Sequence, residues 1–485
     1  MQVRELFADM SVNIVGDDVA IDAISADSRQ VREGTLFAAI FGTQNDGHAY
    51  IKQACEAGAS AILCESLQEG IEQTQIVTEN ARLTLARAAA KFYGEPATKM
   101  QMIGITGTNG KTTCTGLISH ILEHAGKKVG RVGTLGCAWG ERVEQPGLTT
   151  PDALTLSRLL CDMVADDVEY AVLEVSSHAL EQHRVSGAEF DFAVFTNLSH
   201  DHLDYHQDMD SYFMAKKALF DDRLKEGGTA LVNIDDSWGL KLVGDDVMTY
   251  SATDKNADFH VVSMEVNAEG TLLTVHTPRG EFELSCPLIG RFNVYNILVG
   301  VALGQELGID NETIAQGLAC LPQVAGRMQR INKNDEPLVL VDYAHTPDAL
   351  EKALKTINEI AKARVYCVFG CGGDRDQSKR PVMGAIVGKY ASRAWITNDN
   401  PRGEDPQAIA NEIEKGLQEN STIEYDIVLD RRQAIKEAIS AAERNDIILI
   451  AGKGHETIQT VGENKLTFDD ALESRAALDA WAIKN

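Results

Sequence analysis

From Met102 onward, short apolar runs rich in β-branched residues alternate with longer segments of helical periodicity. The runs MIGITG, KVGRVGT, YAVLEV, FAVFTNL and TALVNID read as buried strands joined by crossover helices, the pattern of a parallel sheet. FHVVSMEV, GTLLTVHTP and GEFELSCP then read as antiparallel strands, and the polar stretch NKNDEP, Asn332 to Pro337, breaks the pattern. Beyond it PLVLVDYAH, RVYCVFGCGG, RAWITND, EYDIVLD and DIILIAGKG alternate with helical segments again, which predicts a second α/β sheet. Ahead of Met102 short strands and helices mix. ARLTLARAAAKFY reads as a helix closing that part and GEPATK as a linker. The predicted class is α/β in three domains: a small N-terminal α/β domain over 1–98, a central parallel-sheet domain over 99–332, and a Rossmann-like C-terminal domain over 333–485. No internal repeat or low-complexity tract interrupts them.

Composition narrows the class. A chain of 485 residues is too long for one core, and 44% apolar with 24% charged residues is ordinary for a soluble globular protein. A net charge of −27 argues against nucleic-acid or anionic-membrane binding. It leaves room for an anionic small molecule, because a few Lys and Arg suffice to line one cleft. The start, MQVRELFADM, lacks a basic stretch followed by an apolar one, and no run approaches bilayer length. The nine cysteines are scattered, and the closest pair, Cys367 and Cys371, is not C-x-x-C. They read as reduced thiols of a cytoplasmic protein.

The strongest chemical signal is IGITGTNGKTTCTG, Ile103 to Gly116. The usual phosphate loop is G-x-x-x-x-G-K-[ST], whereas only Thr108 and Asn109 separate Gly107 from Gly110 here. The context is nevertheless strand, glycine loop, Lys-Thr and helix. Backbone amides and the positive helix end would face phosphates, with Lys111 pairing them and the Thr112 hydroxyl ligating Mg²⁺. Glu174 interrupts the apolar run YAVLEV; a carboxylate there is either metal-bound or a solvent-facing residue of an edge strand. SSHALEQHR follows at that strand's C-terminal end, where ligands bind in open α/β sheets. NLSHDHLDYH holds His200, His202 and His206 with Asp201 and Asp204. By spacing it is open between a zinc site and a polar loop that lends one histidine to Mg²⁺. The adjacent lysines of FMAKKALF say nothing alone, since surface lysines are common on helices. GCGGDRDQSKRP, TNDNPRGEDP and AGKGHE each follow a strand of the last domain and would converge on one crevice. There Arg375, Arg402 and Glu456 would suit a zwitterionic ligand, although each alone reads as a solvated loop charge.

In series, TGTNGKTT, EVSSHAL, NLSHDHLDYH, GRFNVYN, VAGRMQ and DYAHTP resemble the Mur ligase family, ATP-dependent enzymes that add amino acids to the peptidoglycan precursor. The resemblance runs over essentially the whole chain, and the family's loop has the short form seen here. It implies that Gly107, Thr108, Asn109, Gly110, Lys111, Thr112 and Thr113 hold the ATP phosphates. Asn293 and Asn296 would approach the adenine, and Arg327 and Asp342 would complete the ATP site. Lys111, Glu174, His202 and Lys216 would be the catalytic set, with Thr112, Glu174, His202 and Lys216 around Mg²⁺. Lys216 matches the family lysine that CO₂ converts to a carbamate (N6-carboxylysine). DSRQVREGTLFAAIFGTQNDGH is similar to the uridine-nucleotide domain of the members that add the third residue. It implies that Ser28, Thr43, Gln44, Asn45, Thr149, Thr150, Ser176, Gln182 and Arg184 hold UDP-N-acetylmuramoyl-L-alanyl-D-glutamate. DNPR looks like the family signature for meso-diaminopimelate, which Arg375, Asp399, Asn400, Pro401, Arg402, Gly452 and Glu456 would bind. The resemblance implies small-molecule substrates only, a cytoplasmic monomer, and hinges near residues 98 and 332. Rival readings are the same ligase using L-lysine, a folate-polyglutamate type ligase, a P-loop kinase or NTPase, and a catalytically dead binding protein.

Overall fold

The structure is a computed structural model that describes every residue except 43–45, 334 and 485, and every other side chain except those of Asp204, Asn420 and Lys484. The predicted α/β class and its three sheets are present. In the N-terminal sheet the strands run Asn13–Val15, Thr74–Val77, Ala59–Cys64, Thr35–Ala38 and Ala23–Ser25, antiparallel at the first pair and parallel elsewhere. The strand Ala59–Cys64 is buried nearly throughout, as a central parallel strand must be. Helix Ala81–Phe92 closes this part. The Asn80 side chain caps it by accepting from the Leu83 amide, and its alanine-rich face, with Leu85, is buried.

The central sheet has 11 strands. At its middle Gln101–Thr106 lies between Phe190–Phe195 and Tyr170–Glu174, all parallel. Parallel pairing continues to Val129–Gly133 on one side and through Leu224–Asn233 to Val247–Ser251 on the other. The hairpin Gly136–Trp139 with Arg142–Glu144 forms one edge, and Phe259–Val266, Thr271–His276 and Phe282–Cys286 complete the order at the other.

The C-terminal sheet runs Gln329–Arg330, Leu338–Asp342, Ile447–Ala451, Val365–Phe369, Arg393–Ile396 and Glu424–Ile427. All but the first pair are parallel. One face packs on Leu350, Leu354 and Ile357 with Ile413 and Leu417, the other on Ile435, Ile439 and Trp481, the two-sided cover that a parallel sheet requires. Arg431 and Asp470 form a fully buried ion pair at 2.7 Å on this scaffold.

The chain divides into two compact units. The first comprises Met1–Val261, Val275–Glu281 and Tyr295–Gly317, so the N-terminal sheet and the phosphate-loop strand share it; the second comprises Val262–Thr274, Phe282–Val294 and Leu318–Asn485. No helix among the described residues is long and apolar enough to cross a membrane.

Candidate active site

In the first unit, Gly107 and Gly110 sit at φ 142° and 90°, backbone that side-chain-bearing residues rarely adopt. A Cβ on Gly107 would lie 1.9 Å from the Thr196 hydroxyl oxygen, and one on Gly110 would lie 2.6 Å from Asn296 Oδ1. Two residues between these glycines suffice because the residues just past the neighbouring strand Phe190–Phe195 brace the loop. The Thr108 amide donates to the Asn197 carbonyl (2.8 Å), the Asn109 amide to Asn197 Oδ1 (3.0 Å), and the Thr196 hydroxyl to the Asn109 carbonyl (2.6 Å). Helix Lys111–His124 starts at Gly110. Lys111 Nζ donates to the carbonyls of Gly107 (2.8 Å) and Thr108 (2.9 Å), and Thr113 is buried behind it.

Glu174 is not on an edge. Its strand lies between two parallel neighbours, and its side chain is buried. The carboxylate accepts from the Thr112 hydroxyl (3.0 Å), the Thr134 hydroxyl (3.0 Å) and the Thr134 amide (2.9 Å). A buried carboxylate beside two hydroxyls is a hard oxygen donor set, suited to Mg²⁺ and not to zinc. Among the described residues no group of three or more His, Cys, Asp or Glu is set to hold a metal.

The histidine loop divides. His206 is buried, bonded to the Ser177 hydroxyl at 2.8 Å, 3.1 Å from Glu181, and stacked on Tyr212. His202 is exposed, at φ 53°, 3.5 Å from Asp201 and edge-on to His178.

Lys216 is nothing like a surface lysine. It is 1% exposed, its Nζ donates to the Gly107 carbonyl at 2.9 Å, and it lies 4.5 Å over the Tyr212 ring. Burial, reinforced by the Lys111 charge, drives its pKa well below that of a solvated lysine. Its neighbour Lys217 reaches Asp221 on the outside of the helix.

Of the residues expected to hold the acceptor, Thr149, Thr150, Ser176, Gln182 and Arg184 form one network. The Thr149 and Thr134 hydroxyls meet at 3.2 Å; the Thr150 hydroxyl donates to the Glu174 carbonyl (2.8 Å), and the Ser176 amide to Thr150 Oγ1 (3.1 Å). Arg184 Nη1 donates to the Thr150 carbonyl (2.9 Å) and Nη2 to Gln182 Oε1 (2.7 Å). Ser28 instead opens the short 3₁₀ turn Ser28–Gln30 after the strand Ala23–Ser25, donating to Gln53. Thr43, Gln44 and Asn45 lie outside the described residues. Asn296 adjoins the phosphate loop at Gly110 and is 3.2 Å from the Cys114 sulfur.

In the second unit, the three expected loops do follow neighbouring strands. Asn293, on this unit, donates to the Ile289 carbonyl at 2.8 Å. Arg327 lies 5.2 Å over the Tyr343 ring. The Asp342 carboxylate accepts from the Met328 amide at 2.7 Å; burial raises its pKa against the opposing Arg327 charge. Arg402, at φ 50°, donates from Nη1 to the Gly373 carbonyl at 2.8 Å. A Cβ on Gly372 would meet Arg402 Nη1 at 2.9 Å and Arg375 Cγ at 3.8 Å, so the Arg402 guanidinium and the stem of the exposed Arg375 flank that glycine. Pro401 and Asn400 are buried beside them. Asn400 donates to Glu456 Oε2 at 2.8 Å. Burial works to raise the Glu456 pKa, but the hydrogen bonds from Lys453 and Asn400 and the Lys453 charge win, and it is lowered. Burial raises the Asp399 pKa, and Gly452 at φ 116° brings the chain so close that a Cβ would lie 2.5 Å from Asp399 Oδ2.

Sequence reasoning missed Thr134, Tyr212 and Lys453. The first two carried only the weak signal of hydroxyls near recognised motifs. Lys453 stood inside AGKGHE, where its side chain gave no hint of being buried.

Comparison with known proteins completes this picture. Three family descriptions match in chain order: "Mur ligase family, catalytic domain" over 20–93, "Mur ligase middle domain" over 105–304, and "Mur ligase, glutamate ligase domain" over 326–454. The UDP-N-acetylmuramoyl-L-alanyl-D-glutamate–2,6-diaminopimelate ligases of Syntrophomonas wolfei and Gloeobacter violaceus are 41% and 42% identical to this chain. The alignments cover 97% of both chains in the first case, and 99% of this chain and 98% of the relative in the second. A solved structure carrying the same enzyme name matches with a TM-score of 0.74 at 32% identity over 99% of each chain. The MurF ligase of Thermotoga maritima, solved with ADP, shares the fold at a TM-score of 0.64 and 18% identity over 95% of this chain and 98% of that one. The shortened phosphate loop, braced by the end of the neighbouring strand Phe190–Phe195, is thus found in a protein whose likeness to these ligases runs from end to end, and the chain belongs to the Mur ligase family.

Proposed function

We propose that the chain joins meso-diaminopimelate to the D-glutamate of UDP-N-acetylmuramoyl-L-alanyl-D-glutamate, with ATP cleaved to ADP and phosphate, as a cytoplasmic monomer in peptidoglycan synthesis. The observation that carries this reading is the coexistence of two sites in one chain. One is a phosphate loop beside a buried carboxylate and a buried amine; the other is a group of loops whose Arg402 guanidinium and Glu456 carboxylate match the two charges of an amino-acid head group. A kinase or NTPase would leave the second site without a role. The 41–42% identity over nearly the full length to ligases named for this substrate supports it.

The acceptor carboxylate attacks the ATP γ-phosphorus, ADP leaves, and an acyl phosphate forms. The diaminopimelate amine attacks the acyl carbon, phosphate leaves, and the amine loses a proton as the amide forms. Catalysis is chiefly positioning and charge neutralisation. The loop amides and Lys111 would bind the phosphates. The Thr149, Thr150, Ser176, Gln182 and Arg184 network would orient the acceptor, with Ser28 and residues 43–45 on its nucleotide. Asn293, Asn296, Arg327 and Asp342 would bind the rest of ATP. Glu174, Thr112 and His202, with Lys216 as a carbamate, would hold Mg²⁺, which when bound neutralises phosphate charge and polarises the γ-phosphoryl group. The Lys216 amine, held neutral by burial, can add CO₂: an N–C bond forms, one proton leaves, and an anionic carbamate results.

The test is phosphate release with ATP and the UDP-sugar dipeptide, with meso-diaminopimelate, L-lysine or L-glutamate as amine. Release that depends on diaminopimelate is expected. Release that prefers lysine, or ignores the amine, overturns the assignment.

A further inference from the structure

Lys453 is completely buried, yet three acceptors surround its ammonium: Asn400 Oδ1 at 3.1 Å, Glu456 Oε2 at 2.9 Å and the Ile458 carbonyl at 2.7 Å. All three belong to different parts of the amino-acid pocket. Asn400 sits in the DNPR loop, Glu456 in the loop after Ile447–Ala451, and Ile458 opens the hairpin Ile458–Val461 with Asn464–Thr467. The Thr460 amide of that hairpin also donates to Asn400 Oδ1, at 2.8 Å. Asn400 Oδ1 therefore accepts twice, which fixes which end of its amide is oxygen and aims Nδ2 at Glu456 Oε2, 2.8 Å away. Glu456 Oε2 in turn accepts from both Lys453 and Asn400, leaving Oε1 as the oxygen of that carboxylate for a ligand ammonium. The hairpin also grips the loop's backbone. The Arg402 amide donates to the Thr460 carbonyl (3.1 Å) and the Gly462 amide to the Arg402 carbonyl (2.7 Å), holding Arg402 at φ 50°.

We infer that Lys453 is a positioning residue for amino-acid selection: its ammonium sets the Asn400 amide and one Glu456 oxygen so that the remaining Glu456 oxygen and Arg402 face opposite charges of a zwitterionic head group. Lys453 does not touch the ligand; it acts through the two residues that do. Without the ammonium, Asn400 is free to flip and Glu456 to turn, and two loops and a hairpin lose their common hub. The inference rests on the proposed function and deepens it, because it names what makes the pocket selective.

The experiment compares the full-length wild type with Lys453→Met, Lys453→Gln, Glu456→Gln and the Lys453→Met/Glu456→Gln double variant. KM for meso-diaminopimelate, ATP and the UDP-sugar dipeptide is measured for each. Lys453→Met should raise KM for diaminopimelate about tenfold or more, with kcat within about threefold and the other two constants within about twofold. Lys453→Gln, which keeps a donor for Asn400 without the charge, should recover part of the loss. Because the two residues act as one unit, the double variant should cost less than the product of the singles. An unchanged diaminopimelate KM in Lys453→Met, a parallel rise for all three substrates, or a fully multiplicative double variant overturns the role. If Lys453→Met does not fold, the same criteria apply to Lys453→Gln. A wild type indifferent to diaminopimelate overturns the proposed function itself, and is told apart because no variant is needed to see it.

Discussion

The two units each bury one lysine completely enough to hide it from water, and they treat it in opposite ways. Lys216 is given one carbonyl, that of Gly107, and shares it with a second amine, Lys111. Lys453 is given a carboxylate, an amide oxygen and a carbonyl. A buried ammonium without a counter-charge is costly, whereas hydrogen bonds to a carboxylate, an amide oxygen and a carbonyl offset the water it loses. The first environment makes a neutral amine, able to react with an electrophile. The second makes a fixed cation, able to orient its neighbours. Burial alone therefore tells nothing of a lysine's use; the number and charge of its acceptors do.

The largest effect that could break this contrast is at Lys216 itself. Lys216→Ala should lower turnover by roughly a thousandfold, as loss of a principal charge-stabilising group does, with partial rescue by a short carboxylic acid that replaces the carbamate. Lys217→Ala, one position on and facing Asp221, should keep near-normal turnover. Equal losses at both positions would show that Lys216 is not special. CO₂-depleted buffer should lower wild-type activity, and bicarbonate should restore it.

Glu174→Gln comes next. It keeps the shape but removes the charge and turns one acceptor into a donor, to which the Thr112 and Thr134 hydroxyls must adapt by accepting, so turnover should fall about a hundredfold and the Mg²⁺ requirement should rise. A normal Mg²⁺ titration in that variant would make Glu174 a structural residue only. In the other unit the comparable change is Arg402→Ala. Removing one partner of a desolvated charged contact costs about 2–5 kcal/mol, so KM for diaminopimelate should rise about 30-fold or more while KM for ATP stays put. Unchanged diaminopimelate binding would remove Arg402 from the specificity argument.

Much of this was legible in the chain. Strand runs such as MIGITG and DIILIAGKG are continuous apolar segments because both faces of a parallel sheet are covered, and that pattern survives without any three-dimensional knowledge. Gly107 and Gly110 were readable because only glycine fits their backbone and their close neighbours. The hairpin Gly136–Trp139 with Arg142–Glu144 was not, since CAWGERVE is short and half polar. Lys216 and Lys217 look alike as letters; helix rotation alone sends one inward and the other to Asp221. Thr134 and Lys453 act through contacts with residues 40 and 53 positions away, Glu174 and Asn400, and nothing local in the sequence marks such partners.

The smallest effect is on stability, and there the two lysines should diverge in sign. In CO₂-free buffer, Lys216→Met removes a buried amine whose charged form is opposed by burial and by the Lys111 charge, at the loss of one hydrogen bond worth about 1 kcal/mol. The unfolded chain protonates Lys216 near the ordinary lysine value of 10.5, the folded chain only well below it. Between those two points the unfolded state binds the additional proton, so wild-type stability falls as pH is lowered through that window. The methionine variant has no such proton to bind. It should unfold at a higher temperature than wild type, and the gap should widen from pH 9 to pH 7, the expected cost of holding a reactive group ready. Lys453→Met should do the reverse: Glu456 Oε2 and Asn400 Oδ1 each lose one of their two donors and the Glu456 charge loses its partner, so this variant should unfold below wild type. Thermal unfolding of both variants at pH 7 and pH 9 decides it. If Lys216→Met unfolds below wild type, or if the gap narrows toward neutral pH, the amine is carried in its charged form and the contrast between the two lysines collapses.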